Sequence, residues 1–386
     1  MADQTKVMVF VGTRKGGIVF TSDAGRRNWQ ASDLYFKGWN VMHMRLDPRD
    51  ARLHAAVYHD VFGATTHYSD DFGQNWTQAR EVPAFPRPSR SGRPLGTVEE
   101  AFASAEEQER TRAKPEKVAK VWHITPGRAD ENGVLYSGIQ PAALFKSSDR
   151  GETWELVEGL YDHPHRGKWN PGAGGLCLHT ILLDPDNRDR MYVAISAAGC
   201  YRTDDGGATW KPFNKNVRAD FQPDVFPEFG QCVHKMALHP GRPQVIYQQN
   251  HFGIYRSDNA GEDWIDIGDG RLPSRFGFPI AVHPHEPETI YVIPENDETR
   301  LSVDGSMAVW RSRNEGGSWQ RLSQGLPARA HLLTLREAMA TDTLEDAGIY
   351  VGTTTGQLFY SRDSGDHWDL LAEYLPPILS VEAAVI

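Results

Sequence analysis

One position of a long internal repeat carries residues that bind metals or move protons. Each copy of the repeat contains a turn motif with a glycine. In five copies the position lies 27 to 30 residues before this glycine, and in a sixth copy it lies 37 residues before it. In chain order, the residues at this position are His43, His123, His179, His234, Pro279, Glu337 and Glu382. Neutral imidazole is a common ligand of transition metals, and nearby carboxylates orient it. We therefore predict that the four histidines hold a divalent transition metal (Zn, Fe, Cu or Mn). A metal-free polar or catalytic pocket and a purely structural histidine network are the alternatives.

The two glutamates offer a second kind of chemistry. Paired carboxylates serve as acid and base in glycosidases, and their separation decides the stereochemical outcome. Glu337 and Glu382 occupy adjacent copies of the repeat, and Arg336 lies beside the first of them. These three residues are the predicted catalytic set. The predicted substrate-binding residues are Lys235, Arg166, Lys168, Trp169 and Trp122.

Two cysteines precede two of the histidines by two residues. Cys177 comes before His179 and Cys232 before His234, so the alternation of a strand predicts that each thiol shares a face with its imidazole. A site with two cysteine and two histidine ligands is one interpretation. Packing of two small residues between neighbouring repeats is the other.

The elements that position these residues follow from a turn motif that recurs seven times. It has the form Ser/Thr-x-Asp-x-Gly-x-x-Trp, with variations, and it is repeated roughly every 50 residues. The copies are 21–29, 69–76, 147–154, 203–210, 257–264, 312–319 and 361–368. In each copy we expect the side chain of the Asp or Asn and the Ser or Thr hydroxyl to accept hydrogen bonds from backbone amides of the turn, and Gly to take a positive φ.

Four short strands accompany each period, which is typical of a β-propeller blade. We predict an all-β, seven-bladed β-propeller of four-stranded blades that spans residues 1–386 as one domain. The chain starts with a second-strand pattern at 7–11 and ends with an extra strand at 378–385. The C-terminal strand is therefore expected to complete the first blade and close the ring, which removes an exposed sheet edge.

The recurring turn resembles the Asp-box, or BNR repeat, of sialidases, xyloglucan-degrading glycosidases and the photosystem II assembly factor. This resemblance covers essentially the whole chain, and it implies a glycosidase-like propeller or a non-catalytic scaffold. Sialidases also carry an F-R-I-P segment near the N-terminus, whereas the most similar string here is RFGFP at 275–279. Strict sialidase activity is therefore not expected. The four-histidine ring is similar to that of carotenoid-cleaving oxygenases, which are seven-bladed propellers with an iron ion.

The segment 77–118 is predicted to be an insertion between the second and third blades. Its residues 97–112 favour a helix, with Thr97 as N-cap and Glu100 at the capping-box position. Such a helix would serve as a lid over the pocket or would lie on the surface in solvent.

Composition excludes several classes of function. The net charge is −10, whereas binding to nucleic acid or to an anionic membrane surface requires clustered cations. No apolar run approaches the roughly 18 residues of a membrane span, and three cysteines fit a reducing, cytoplasmic compartment. The leading hypothesis is a metal-dependent enzyme for a small organic or sugar-like substrate at the channel mouth. A metal-independent glycoside hydrolase and a non-catalytic binding scaffold are the alternatives, and the oligomeric state is left open.

Overall fold

The computed structural model describes residues 5–86 and 117–386, and these form a ring of seven four-stranded antiparallel sheets. Blade 1 contains β1 (Lys6–Thr13), β2 (Gly16–Asp23), β3 (Gln30–Ala31) and the last strand, β28 (Ile378–Val385). Blade 2 contains β4 (Asn40–Leu46), β5 (Leu53–His59), β6 (Gly63–Ser69) and β7 (Thr77–Gln78). Blade 3 contains β8 (Lys120–Pro126), β9 (Leu135–Gln140), β10 (Leu144–Ser147) and β11 (Glu155–Leu156).

The remaining blades follow the same order along the chain. Blade 4 contains β12 (Cys177–Leu183), β13 (Met191–Ser196), β14 (Gly199–Thr203) and β15 (Lys211–Pro212). Blade 5 contains β16 (Val233–Leu238), β17 (Ile246–Asn250), β18 (Gly253–Ser257) and β19 (Ile265–Asp266). Blade 6 contains β20 (Gly277–Val282), β21 (Ile290–Pro294), β22 (Val309–Ser312) and β23 (Gln320–Leu322). Blade 7 contains β24 (Met339–Thr341), β25 (Ile349–Gly352), β26 (Leu358–Ser361) and β27 (Asp369–Ala372).

Helices are few and short in the described part of the chain. They are α1 (Glu158–Tyr161) and two 3₁₀ turns, Arg166–Lys168 and Val303–Gly305. No helix in 5–86 or 117–386 is long and apolar enough to cross a membrane. The predicted insertion at 77–118 falls mostly outside the described residues, and the helix predicted at 97–112 lies wholly outside them.

The turn motif forms the hydrogen bonds that its residue types predict. In the second copy, the Ser69 hydroxyl accepts the Gly73 amide at 2.7 Å, and Asp71 Oδ1 accepts the Asn75 amide at 2.8 Å. Gly73 has a φ of 94°, so a side chain at this position would be strained. Each of the next five copies repeats this pair of hydrogen bonds between corresponding residues. The motif is thus a turn-forming device that joins the third and fourth strands of a blade.

Closure of the ring by the C-terminal strand is confirmed. β28 pairs antiparallel with β1, with Val381 opposite Val11 and Glu382 opposite Phe10. Val381 is 1% exposed and belongs to an apolar cluster that blades 1 and 7 share, with Ile378 and Tyr350. The two ends of the chain therefore hold one blade together, and the same strand places Glu382 in the channel wall.

The first strand of most blades carries a β-bulge at the position of the histidines. The unpaired residue is Met42 in β4 and Trp122 in β8, whereas it is His179 in β12 and His234 in β16. A bulge redirects side chains relative to simple strand alternation. Residues that match in the sequence repeat therefore do not all point in the same direction.

We predict that Val381→Ala lowers the free energy of unfolding by about 2 kcal/mol, because it leaves a cavity where the ring closes. Chemical denaturation measured by tryptophan fluorescence would test this expectation. The matched control is Val225→Ala, since Val225 is 37% exposed and its truncation should cost less than about 0.5 kcal/mol. Equal effects of the two substitutions would contradict the role assigned to β28.

Candidate functional site

A cavity with a volume of about 1160 Å³ occupies the centre of the ring. Residues from all seven blades line it, so it is the channel that the propeller fold creates. The aromatic lining residues are Tyr58, Trp122, Phe221, Phe276 and Phe278. The charged lining residues are Arg14, Lys15, Asp60, Lys120, Arg300, Arg336 and Glu337.

Glu337 is the buried carboxylate of this cavity. The Lys235 ammonium forms an ion pair with its Oε2, and His123 Nδ1 lies 3.5 Å from the same oxygen. Burial raises the pKa of the Glu337 carboxyl, but Lys235 and His123 outweigh it and hold the pKa well below its usual range. Glu337 Oε1 is buried and accepts no hydrogen bond from any described residue. The carboxylate is therefore ionised, and one of its two oxygens has no hydrogen-bond partner among the described residues.

The second predicted glutamate belongs to a neighbouring ion pair. Glu382 Oε1 lies 3.0 Å from His43 Nε2, and Arg45 binds its Oε2. Burial raises the pKa of Glu382, but Arg45 and His43 lower it to about 2. Because the Ile124 amide donates to His43 Nδ1 at 3.3 Å, the proton of this imidazole is on Nε2 and points to Glu382.

Two imidazoles in tilted contact lie between the two ion pairs. The rings of His43 and His123 lie 4.3 Å apart, at an angle of 31°. Burial, with His43 beside it, lowers the pKa of His123 to about 4, so His123 is neutral at pH 7. The two imidazoles thus lie between Glu382 and Glu337.

The other two predicted metal ligands have different surroundings. His179 donates from Nε2 to the Val233 carbonyl at 3.0 Å, and its Nδ1 lies 3.0 Å from the Thr180 hydroxyl. Both ring nitrogens of His179 are therefore used within the fold. His234 donates from Nδ1 to the Gly277 carbonyl at 2.6 Å, and its Nε2 faces the Cys232 thiol at 3.6 Å.

The structure places these histidines in separate groups. Two sets of three side chains have potential ligand atoms within 4.8 Å of one another in the described part of the chain. They are His43, His123 and Glu337, and Cys232, His234 and His251. His179 is in neither set. The strands therefore do not bring all four predicted histidines around a single ion, because the bulges orient the side chains of equivalent residues differently.

The two cysteines also have different partners. Cys177 Sγ accepts a weak hydrogen bond from Arg336 Nη1 at 3.5 Å, whereas Cys232 faces His234. The expected pairing of Cys177 with His179 is absent from the contacts of the described residues, because the bulge lies between them. Arg336 in turn lies over the Trp122 ring, 5.4 Å from its centroid. Trp122 is fixed by its Nε1 donating to Gln140 Oε1 at 3.0 Å.

The predicted substrate-binding residues divide into two groups. Trp122 lines the cavity, and Lys235 lies behind it as the partner of Glu337. Arg166 stacks on Tyr161 at 4.1 Å, Lys168 is exposed, and Trp169 is buried with its Nε1 donating to Tyr201. Their loop reaches the cavity through its next residues, 170–174. The sequence therefore indicated the correct loop, but the three residues predicted from it are not the ones that line the cavity.

Sequence reasoning missed most of the cations that line the cavity. Arg14 and Lys15 occupy the β1–β2 hairpin, Lys120 begins β8, and Arg300 lies after β21. None of these four, nor Arg336, has a carboxylate within 4.0 Å among the described residues. They arise from unrelated loops and strand ends, so no repeat position could have revealed them.

Two further titratable groups, one half-buried and one buried, were also missed. His251, in the β17–β18 hairpin, has its Nε2 3.2 Å from Asp297 Oδ1. Glu295 is 1% exposed, and its Oε1 accepts the Thr334 amide at 2.7 Å. Burial raises the pKa of the Glu295 carboxyl well above its usual range, so this group is protonated. It anchors the segment that leads to Arg336 and Glu337.

Curated proteins are similar in sequence to part of the chain, and solved structures share its fold over nearly the whole chain. No family model matches. A probable oligoxyloglucan-reducing end-specific xyloglucanase of Neosartorya fischeri is 25% identical over 233 residues, which are 52% of this chain and 26% of that protein. The chain thus spans about a quarter of the length of that curated relative.

Two solved structures share the architecture. The periplasmic gluconolactonase PpgL of Pseudomonas aeruginosa has a TM-score of 0.59 at 11% identity and covers 98% of this chain and 99% of its own. An ancestral GH74 enzyme has a TM-score of 0.57 at 14% identity and covers 86% of this chain and 38% of its own. The fold is a seven-bladed β-propeller. At these identities the structural likeness carries the fold alone.

The protonated Glu295 leads to a prediction about stability and pH. An unfolded glutamate titrates near pH 4.3, and the folded pKa is higher, so the contribution of Glu295 is fully present at low pH. It is lost as the pH rises above about 4.3 toward the folded pKa, by up to about 1.4 kcal/mol per pH unit. Glu295→Gln keeps the shape and removes this dependence.

Chemical denaturation at several pH values between 4 and 8 would test this prediction. The difference in unfolding free energy between Glu295→Gln and the wild type should grow in favour of the variant as the pH rises. Glu345→Gln, at an exposed glutamate, should run parallel to the wild type. A constant difference for Glu295→Gln would show that Glu295 is ionised in the folded protein.

Proposed function

We propose that this protein is a carbohydrate hydrolase that binds an acidic sugar in the central cavity, with Glu337 as the general base. The observation that carries the proposal is the combination of an ionised, buried carboxylate with five cations that lack carboxylate partners among the described residues. Several curated relatives that match part of the chain are xyloglucanases, which supports a carbohydrate as the substrate.

The charge of the cavity supports an anionic substrate. Five cations and two carboxylates line it, although the chain as a whole has a net charge of −10. One of these carboxylates, Glu337, is already neutralised by Lys235. A concave site with fixed charges of one sign concentrates ligands of the opposite sign. Carboxylate or phosphate groups are the partners that guanidinium groups bind best.

The aromatic lining residues support a ring-shaped substrate. Trp122 is half-buried, and its indole is held between Gln140 and the Arg336 guanidinium. Such a fixed aromatic plane offers apolar area at low entropic cost, and its polar neighbours can hydrogen-bond the hydroxyl groups of a sugar. Phe221, Phe276 and Phe278 provide further planes on the other side of the cavity.

Two observations support Glu337 as the general base. It is ionised, and its buried Oε1 accepts no hydrogen bond from a described residue, so we propose that this oxygen takes the proton of the water molecule that attacks the substrate. Lys235 and His123 fix its position. Arg336, which borders it in sequence and lines the same cavity, stabilises the negative charge on the leaving oxygen as its bond to the anomeric carbon breaks, and a water molecule in the cavity then protonates that oxygen. Glu382 acts indirectly in this proposal, since it orients His43, which contacts His123.

Glu337→Gln is expected to lower kcat/KM by about 10²- to 10⁴-fold, because it removes the base and keeps the shape. The assay is a panel of chromogenic glycosides that includes glycosiduronic acids and phosphorylated sugars beside their neutral counterparts. Glu345→Gln, at an exposed glutamate, is the matched control and should retain full activity. Unchanged turnover in folded Glu337→Gln would remove this residue from the mechanism, and no hydrolysis of any substrate by the wild type would favour a binding scaffold.

Arg336→Gln should weaken binding of an acidic sugar by about 10- to 100-fold, because a charge-assisted hydrogen bond contributes about 1.5–3 kcal/mol. Calorimetry with methyl glucuronide and methyl glucoside would separate charge from shape. Affinity for the neutral glucoside should change much less. Arg329→Gln, at an exposed arginine outside the cavity, is the control. Equal losses for both sugars would argue against selection by charge.

A further inference from the structure

We propose that Cys232, His234 and His251 form a transition-metal site in the wall of the central cavity, separate from the Glu337 ion pair. The inference does not depend on the hydrolase proposal, because it is tested by metal binding. His234 lies in β16, Cys232 directly precedes this strand, and His251 lies in the β17–β18 hairpin, whose first strand pairs with β16. All three line the cavity.

The spacing of the three side chains suits one ion. Their ligand atoms lie within 4.8 Å of one another, and the distance from Cys232 Sγ to His234 Nε2 is 3.6 Å. With Zn–S near 2.3 Å and Zn–N near 2.0–2.1 Å, a tetrahedral site places sulfur and nitrogen ligands about 3.5 Å apart. The observed separation of Cys232 and His234 is therefore close to that of two ligands on one ion.

The orientation of His234 is already that of a ligand. Its Nδ1 donates to the Gly277 carbonyl at 2.6 Å, which puts the proton on Nδ1 and the lone pair on Nε2, toward Cys232. The ring is also stacked on Phe278, with centroids 4.6 Å apart. Histidine ligands of metals usually donate their other ring N–H to a carbonyl or a carboxylate in this way.

His251 is oriented by a carboxylate. Its Nε2 lies 3.2 Å from Asp297 Oδ1, and its amide donates to the Cys232 carbonyl at 3.0 Å. The backbone bond ties the hairpin to the cysteine, and the carboxylate faces the imidazole. Both histidines thus have the outer partners that fix the ring and increase its basicity toward an ion.

The charges around the two clusters favour a metal ion at this one rather than at the other. A divalent ion would be neutralised by the Cys232 thiolate together with the Asp297 carboxylate. In the cluster of His43, His123 and Glu337, the Lys235 ammonium already occupies the carboxylate, and both nitrogens of His43 are engaged. A cation there would meet Lys235.

The ligand set indicates which metals to test. One thiolate and two imidazoles suit Zn²⁺, and Co²⁺ takes the same geometry. Three protein ligands beside an open cavity leave the fourth position for water or for a substrate atom. Since Arg336 and Arg300 line the same cavity, an anion bound at that position would also meet these cations.

The test uses the full chain after chelation and dialysis, titrated with Zn²⁺ and with Co²⁺. We expect about one ion per chain by elemental analysis, with the intense near-ultraviolet absorption of a cobalt–thiolate bond. Cys232→Ser and His251→Ala should each weaken Co²⁺ binding by at least about 100-fold, and Cys232→Ser should abolish the charge-transfer band. Asp297→Asn should weaken binding by about 10- to 100-fold.

Two matched controls locate the ion. Cys177→Ser and His331→Ala should bind Co²⁺ as the wild type does, since neither residue belongs to the cluster. If Cys232→Ser fails to fold, alkylation of wild-type Cys232, followed by peptide mass spectrometry, is expected to slow when Zn²⁺ is added. Absence of a cobalt–thiolate band in folded wild-type protein, or loss of binding in Glu337→Gln but not in Cys232→Ser, would overturn the proposal. So would an alkylation rate that Zn²⁺ leaves unchanged.

Discussion

Charge compensation between blades is the constraint on which the channel depends. Glu337 and Glu382 are buried, and a buried carboxylate remains ionised only when a cation or hydrogen-bond donor replaces the lost water. Lys235 supplies the first cation from blade 5 to blade 7, and Arg45 supplies the second from blade 2 to blade 1. The imidazoles of His43 and His123 fill the space between the two pairs. The propeller ring brings these groups together, and their mutual neutralisation lets the channel retain an ionised base.

The same wall contains a second, chemically different region. Cys232, His234 and His251 offer a thiol and two imidazoles, which are ligands that a transition metal prefers. The cations that line the cavity lie near both regions. In the two proposals, a single anionic ligand would contact the arginines together with either region.

The sequence predicted the architecture well, because each turn motif specifies its own local hydrogen bonds and seven copies imply seven blades. It also placed the terminal strand correctly, since residues 378–385 had no blade of their own. The same spacing located the histidines along the chain but did not predict their orientation. The unpaired residue of the β-bulge is Met42 or Trp122 in two blades, whereas it is His179 or His234 in the next two blades. His251, Arg14 and Arg300 come from hairpins and loops outside the repeat, and only the folded ring brings them to the cavity.

The ionisation state of Glu337 tests the account most directly. Proteins labelled with ¹³C at the glutamate carboxyl can be titrated by NMR, with Glu337→Gln used to assign the signal. The account predicts a carboxylate at neutral pH that protonates only at a pH well below the usual range of a glutamate, and an upward shift of this pKa in Lys235→Met. A protonated Glu337 at neutral pH, or a pKa that Lys235→Met leaves unchanged, would contradict the proposed base and the compensation that maintains it.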